Sequence, residues 1–197
     1  MGAELGATTS IFPSDETTRE FLKSMGREDA YQPLSADADA SYYKTIEVNL
    51  DELVPMVACP HSPDKVVAVS ELAGEAIHQV AIGSCTNSSY LDLAKCAMLL
   101  KRKKVNENIS LVISPGSRQI LKRLADDGLL SVFLEAGARV LECGCGPCIG
   151  MGQAPCNNGK SLRTFNRNFY GRSGTKSADV YLVSPETAIA SAIAGVI

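Results

Sequence analysis

Short apolar runs that alternate with helix-like stretches constrain the fold of this 197-residue chain more than any other feature. His78 to Ile82 (HQVAI), Ile109 to Ile113 (ISLVI), Arg139 to Glu142 and Asp179 to Val183 (DVYLV) read as strands. Ser89 to Leu100, Arg118 to Asp127 and Leu130 to Ala136 carry helical spacing between them, and a further helix is expected from Pro185 through Ala194, capped by Ser184. Strands this short and this apolar are buried on both faces, which in an alternating chain means a mainly parallel sheet between covering layers. The expected fold is therefore a three-layer α/β/α domain. Ligands in such folds bind beyond the carboxyl ends of the strands.

Finer expectations follow from the same patterns. On the helix from Ser89, the residues Leu91, Ala94 and Met98 share one face, and Lys101 to Lys104 close it with positive charge suited to the helix dipole. Upstream, a helix is expected from Asp15 to about Met25, with Ser14 as cap and Gly26 as stop. Gly26 to Ser41 reads as a loop, Tyr42 to Val48 alternates as a strand would, and Asn49 to Lys65, with its three prolines, reads as a connection.

Composition excludes several classes. Lys+Arg 19 against Asp+Glu 22 gives a formal charge of −3, which counts against phosphate-driven nucleic-acid binding. A hydrophobic content of 45% rules out a disordered chain. The longest apolar-rich run, Ala188 to Ile197, is too short to span a bilayer, so no membrane association is expected. No secretory pattern follows Met1, and the cytoplasm is the expected location.

Seven cysteines in a reducing compartment need a reason: Cys59, Cys85, Cys96, Cys143, Cys145, Cys148 and Cys156. A disulfide framework is not expected, which leaves metal binding or reactive thiols. Two motifs stand at strand ends, IGSCTNSSY from Ile82 and CGCGPCIGMG from Cys143. Gly83 and Gly146 allow the backbone close to a ligand, and free N–H groups at the following helix starts can donate to an anion. Thiolate ligation beside such donors suits an iron–sulfur cluster. Structural zinc usually takes two cysteine pairs, and here one Cys-x-x-Cys is joined by a single distant Cys85. Cys143 and Cys156 stay open as fourth ligands, whereas Cys59 and Cys96 read as buried, unreactive thiols.

GSCTNS at Gly83 to Ser88 and CGPCIG at Cys145 to Gly150 resemble the cluster-ligand motifs of the aconitase superfamily, which includes aconitate hydratase, the 3-isopropylmalate dehydratase large subunit and homoaconitase. TFNRNFYGRSG, Thr164 to Gly174, resembles that family's substrate loop; MGAELGATTSIFPSDE at the start and LVSPETAIASAIAG near the end extend the resemblance. It implies a 4Fe–4S cluster on Cys85, Cys145 and Cys148, with one iron open to a substrate hydroxyl and carboxylate. It also implies that Asn166, Arg167 and Arg172 bind substrate and that Glu4 is an active-site carboxylate. Arginine forks suit a di- or tricarboxylate.

By the same resemblance residues 1–40 are the end of a preceding subdomain plus a surface loop, and 41–197 the cluster-binding α/β domain. The family's His–Asp pair and its serine base have no counterpart, since His61 and His78 lie outside any matching motif. The implied partners are the remaining aconitase-type domains or a separate small subunit. The implied reaction isomerises a 2-hydroxy polycarboxylate by dehydration and rehydration, with citrate/isocitrate expected first and isopropylmalate or homocitrate next. The competing reading is a non-catalytic iron–sulfur module that senses iron or oxidants, or binds RNA or a partner.

Overall fold

The computed structural model describes residues 6–197. The chain divides into two compact units, Met1–Leu50 and Asp51–Ile197. In the first, helix α1 (Glu16–Ser24) is capped by Asp15, whose carboxylate accepts from Thr18 N at 3.2 Å. The cap is one residue later than the sequence suggests, because Ser14 pairs with Leu34 in an antiparallel bridge. Arg19 steadies the helix against Glu28 at 3.0 Å.

The strand expected over Tyr42 to Val48 does not form. These residues are irregular and exposed, Tyr43 completely so. Alternation alone does not make a strand; a neighbour must take up its backbone hydrogen bonds, and none is present among the described residues.

The second unit is built on a seven-stranded sheet. Its strands are β1 (Met56–Ala58), β2 (Val66–Ala68), β3 (Gln79–Gly83), β4 (Ser110–Ser114), β5 (Arg139–Val140), β6 (Lys160–Arg163) and β7 (Asp179–Leu182). They lie in the order β2-β1-β7-β6-β3-β4-β5. From β7 to β5 all pairs are parallel, and β1 joins antiparallel to β7 and to β2 at one edge. Three strands escape the sequence reading. β1 and β2 sit inside or beside the proline-rich connection, and β6, reading KSLR, has the polarity of a turn.

Four helices complete the unit: α2 (Tyr90–Leu100), α3 (Arg118–Asp126), α4 (Leu129–Ala136) and α5 (Pro185–Ala194). Ser89 and Asp92 form a reciprocal capping box at α2, and Ser184 caps α5 with Pro185 in the first position, as expected. The buried face of α2 is Leu93, Ala94, Cys96, Ala97 and Leu100, while Leu91 and Met98 are exposed. The sheet runs closest to the rotated stripe, which is equally consistent with helical spacing.

The alternation of each strand divides the core in two. Val80, Ile82, Leu111, Ile113 and Leu162 face α2, α4 and α5, meeting Leu93, Phe133 and Ile189. Full burial of side chains of this size stabilises by about 1.5–3 kcal/mol each. Ala81 and Val112 face the other way and pack with Leu141, Cys148 and Phe165. The architecture is thus a three-layer α/β fold with a mainly parallel sheet, and the layer opposite the helices contains the cysteine turn. Among the described residues no helix is long and apolar enough to cross a membrane.

Candidate metal centre and substrate site

From β3 the chain passes to β4 and β5 on one side, then returns to β6 and β7 on the other. The crevice between β3 and β6 is therefore a topological switch point, where parallel sheets bind ligands. Cys85 lies two residues past the end of β3, and Asn166 three residues past β6.

Gly83 makes the turn after β3 possible. Its φ is +125°, and a Cβ there would stand 1.9 Å from the carbonyl oxygen of Ser114. The turn is tied to the neighbouring strands: Gly83 N donates to Thr164 Oγ1 at 2.9 Å, Ser84 N to Ser114 O at 3.0 Å, and Asn87 Nδ2 to Thr164 O at 2.7 Å.

The second cysteine motif forms a single 3-10 turn, Gly146–Ile149, closed by Cys148 N to Cys145 O at 3.1 Å and Met151 N to Gly146 O at 2.9 Å. The two motifs meet through Ser84, whose Oγ lies 2.9 Å from Cys148 Sγ and 3.8 Å from Cys85 Sγ. Cys85 and Cys145 are exposed and Cys148 is buried.

The substrate-like loop is fixed from below. Asn168, almost fully buried, donates through Nδ2 to Cys59 O at 2.8 Å and to Val180 O at 3.1 Å. Loop and cysteine turn touch at Gly150, whose φ is +84° and whose Cβ, if present, would be 2.1 Å from Ser173 O.

Cys85, Cys145, Cys148, Ile149, Met151, Asn166, Arg167 and Arg172 line one cavity of about 420 Å³. The three expected ligand cysteines and the three expected substrate residues are therefore brought together. Neither Cys143 nor Cys156 lines this cavity. Glu4 lies outside the described residues. Cys96 is buried as expected, and burial pushes its thiol up to about 12. Cys59 is half-buried and packs against the main core. His61 lies 3.6 Å from Asp179 and edge-on to Tyr170, and His78 accepts from Lys160 N through Nδ1 at 3.1 Å.

Among the described residues, no three His, Cys, Asp or Glu side chains form a group that could hold one metal ion. The cysteines stand around a space instead of closing on a point, and among the described residues the remaining lining carries two arginines and no carboxylate. Three soft sulfur ligands around a cavity with cationic neighbours fit an anionic iron–sulfur cluster.

Three contributors were not legible as site residues: Ser84, Gly150 and Arg163, whose buried guanidinium reaches the cysteine turn. Ser84 had a signal in its place beside Cys85. The other two depend on which segments approach in space.

A model of the aconitase family (aconitate hydratase) matches residues 1–76 and 70–195. The 3-isopropylmalate dehydratase large subunit 2 of Archaeoglobus fulgidus is 46% identical over 198 residues, covering 100% of this chain and 48% of that protein. The large subunit 1 of Thermotoga maritima is 42% identical, covering 100% and 48%, and that of Methanopyrus kandleri is 43% identical, covering 99% and 47%. The chain spans about half the length of the curated relatives it matches.

Proposed function

The chain belongs to the aconitase family, and on that premise we propose that it is the cluster-bearing part of an iron–sulfur hydro-lyase acting on a 2-hydroxy dicarboxylate with an apolar branch. The observation that carries this reading is the single cavity shared by Cys85, Cys145 and Cys148 with Asn166, Arg167 and Arg172. Cys85, Cys145 and Cys148 would hold a 4Fe–4S cluster. With three protein ligands, such a cluster supplies an open iron that acts as a Lewis acid on a substrate hydroxyl.

The chain's own residues bind and orient the substrate. Arg167 and Arg172 present paired N–H donors to substrate carboxylates, and Asn166 adds a neutral amide that orients the hydroxy acid. Ser84 Oγ is placed to donate to Cys148 Sγ, which steadies a thiolate without neutralising it. Glu4 is the proposed carboxylate that handles a proton at the substrate. Ile149 and Met151 give the cavity an apolar wall, which supports a substrate with an aliphatic branch. An aliphatic branch gains by contact with that wall, whereas a third carboxylate would lose hydration there. Isopropylmalate therefore replaces citrate as the first-choice substrate, in keeping with the names of the relatives.

A separate small subunit is the proposed partner that completes the acid–base machinery, since those relatives are named large subunits. A reducing cytoplasm is the proposed location, because it keeps the free thiols available.

The test is anaerobic reconstitution with iron and sulfide analysis, followed by EPR with and without 2-isopropylmalate or citrate. Conversion of a four-iron to a three-iron species on mild oxidation, and a larger spectral change with isopropylmalate than with citrate, are expected. A cluster that never loses iron and ignores both acids would identify a sensing or electron-transfer module instead.

A further inference from the structure

Arg163 ends β6 with no solvent exposure, the largest of the fully buried side chains. Among the described residues no carboxylate pairs with it, although a buried guanidinium is costly without compensation. Its donors divide into two sets. Nε donates to Ser161 Oγ at 3.1 Å and Nη2 to Gln79 Oε1 at 2.9 Å, and both acceptors belong to the sheet. Nη1 donates to Pro147 O at 2.5 Å, within the cysteine turn, and Nη2 to Gln153 O at 2.7 Å, in the segment that follows it, so the two acceptors flank Cys148.

One planar fork thus spans from the sheet to the turn, a geometry that a lysine point charge does not reproduce. The guanidinium carbon also lies 5.4 Å from the centroid of the Phe165 ring. Burial lowers the Arg163 pKa to about 10, with nearby Cys148 opposing that fall, so the side chain keeps its charge at neutral pH. Each of these four acceptors is neutral, so an anion held at the turn would be the group that balances the charge.

We propose that Arg163 is a positioning residue that clamps the Cys145–Cys148 turn to the sheet and sets a fixed positive charge behind its thiolates. The charge half of this proposal rests on the cluster reading above; the clamp half does not.

Hydrogen exchange on the full, iron-free chain tests the clamp. In Arg163→Met and Arg163→Lys, the amides of Cys148, Gly150 and Met151 are expected to exchange about tenfold faster or more, as the bonds to Pro147 and Gln153 are lost. The amides of Ala81 and Val112 in β3 and β4 should stay as protected as in the parent chain. Unchanged exchange in the turn overturns the clamp.

Redox titration of the reconstituted chains tests the charge. Arg163→Met is expected to shift the cluster to lower potential, because a nearby cation favours the more reduced form, and Arg163→Lys should restore most of that shift. A potential that is the same in all three chains overturns the charge. Should Arg163→Met unfold the sheet, Gln79→Met releases the anchor while keeping the guanidinium, and faster exchange of the turn is again expected. A parent chain that takes up no iron refutes the cluster reading and with it the charge half, and the exchange result still decides the clamp.

Discussion

Replacing Gly150 by alanine should damage this fold more than any other glycine substitution in the cysteine turn, and the size of the effect can be worked out in parts. Its φ of +84° lies in the left-handed region, where a Cβ costs about 1–2 kcal/mol. The added Cβ would also stand 2.1 Å from Ser173 O, 2.7 Å from Ser173 C and 3.1 Å from Gly174 Cα. All three are backbone atoms, so no side chain can swing aside. Relief requires the two segments to part, which adds about 1–3 kcal/mol as overpacking.

The expected total is about 2–5 kcal/mol. Two controls separate the contributions. Gly128 has φ +72° with nothing within 4 Å of its Cβ position, so Gly128→Ala carries the conformational cost alone. Gly144 has open space and no left-handed φ, so Gly144→Ala should be nearly neutral. With a urea slope of about 2 kcal/mol/M, the midpoint should fall by about 1–2.5 M in Gly150→Ala and about 0.5–1 M in Gly128→Ala. Equal midpoints for these two variants would refute the claim that the cysteine turn and the arginine loop are pressed together at Gly150.

Other outcomes are expected on the same grounds. Cys85→Ser, Cys145→Ser and Cys148→Ser should each lose cluster iron on reconstitution, whereas Cys143→Ser and Cys156→Ser should keep it, as measured by iron and sulfide content. On the proposed function, Arg172→Lys assayed with the proposed small subunit should raise KM for isopropylmalate about ten- to a hundredfold with a smaller effect on kcat, because one charged hydrogen bond of the fork is lost. In the folded, iron-free chain at pH 8, iodoacetamide should label the exposed Cys85, Cys145 and Cys156 and spare Cys96, as peptide mass spectrometry would show. Cys96 also has a linkage consequence. Its folded pKa is raised from 9.0 to about 12, so its contribution to stability is complete below pH 9 and disappears as the pH rises towards 12.

The helices and the apolar strands were legible because burial on both faces leaves a plain hydrophobic record. β3, β4 and β7 are recognisable in the letters themselves, and so is the cap Ser184. β6 was not, although it is central. Its Ser161 and Arg163 are buried by bonding to Gln79 of the next strand, and a polar strand that is satisfied sideways looks like a turn when read alone. Tyr42 to Val48 gives the opposite lesson, since an alternating pattern with no neighbouring strand stays irregular.

The cysteine trio was legible because its spacing and its place at strand ends are local facts. Which cysteines share a cavity, and what grips the turn from behind, depend on the order of strands in the sheet. That order places β6 beside β3, across a separation of 82 residues between Gln79 and Ser161.

The same strand order has a consequence for biosynthesis. Chains emerge from the ribosome amino end first, and β3, β4 and β5 are all made before β6. Until β6 inserts between β3 and β7, the crevice has only one wall, and Cys148 lacks the sheet that Arg163 anchors it to. Pairing across so long a loop is slow, so nascent chains dwell with their thiols apart. Iron delivered during that interval would find scattered cysteines and no common cavity. On the proposed cluster reading, loading therefore belongs after β6 has paired with β3, with the thiols kept reduced until then.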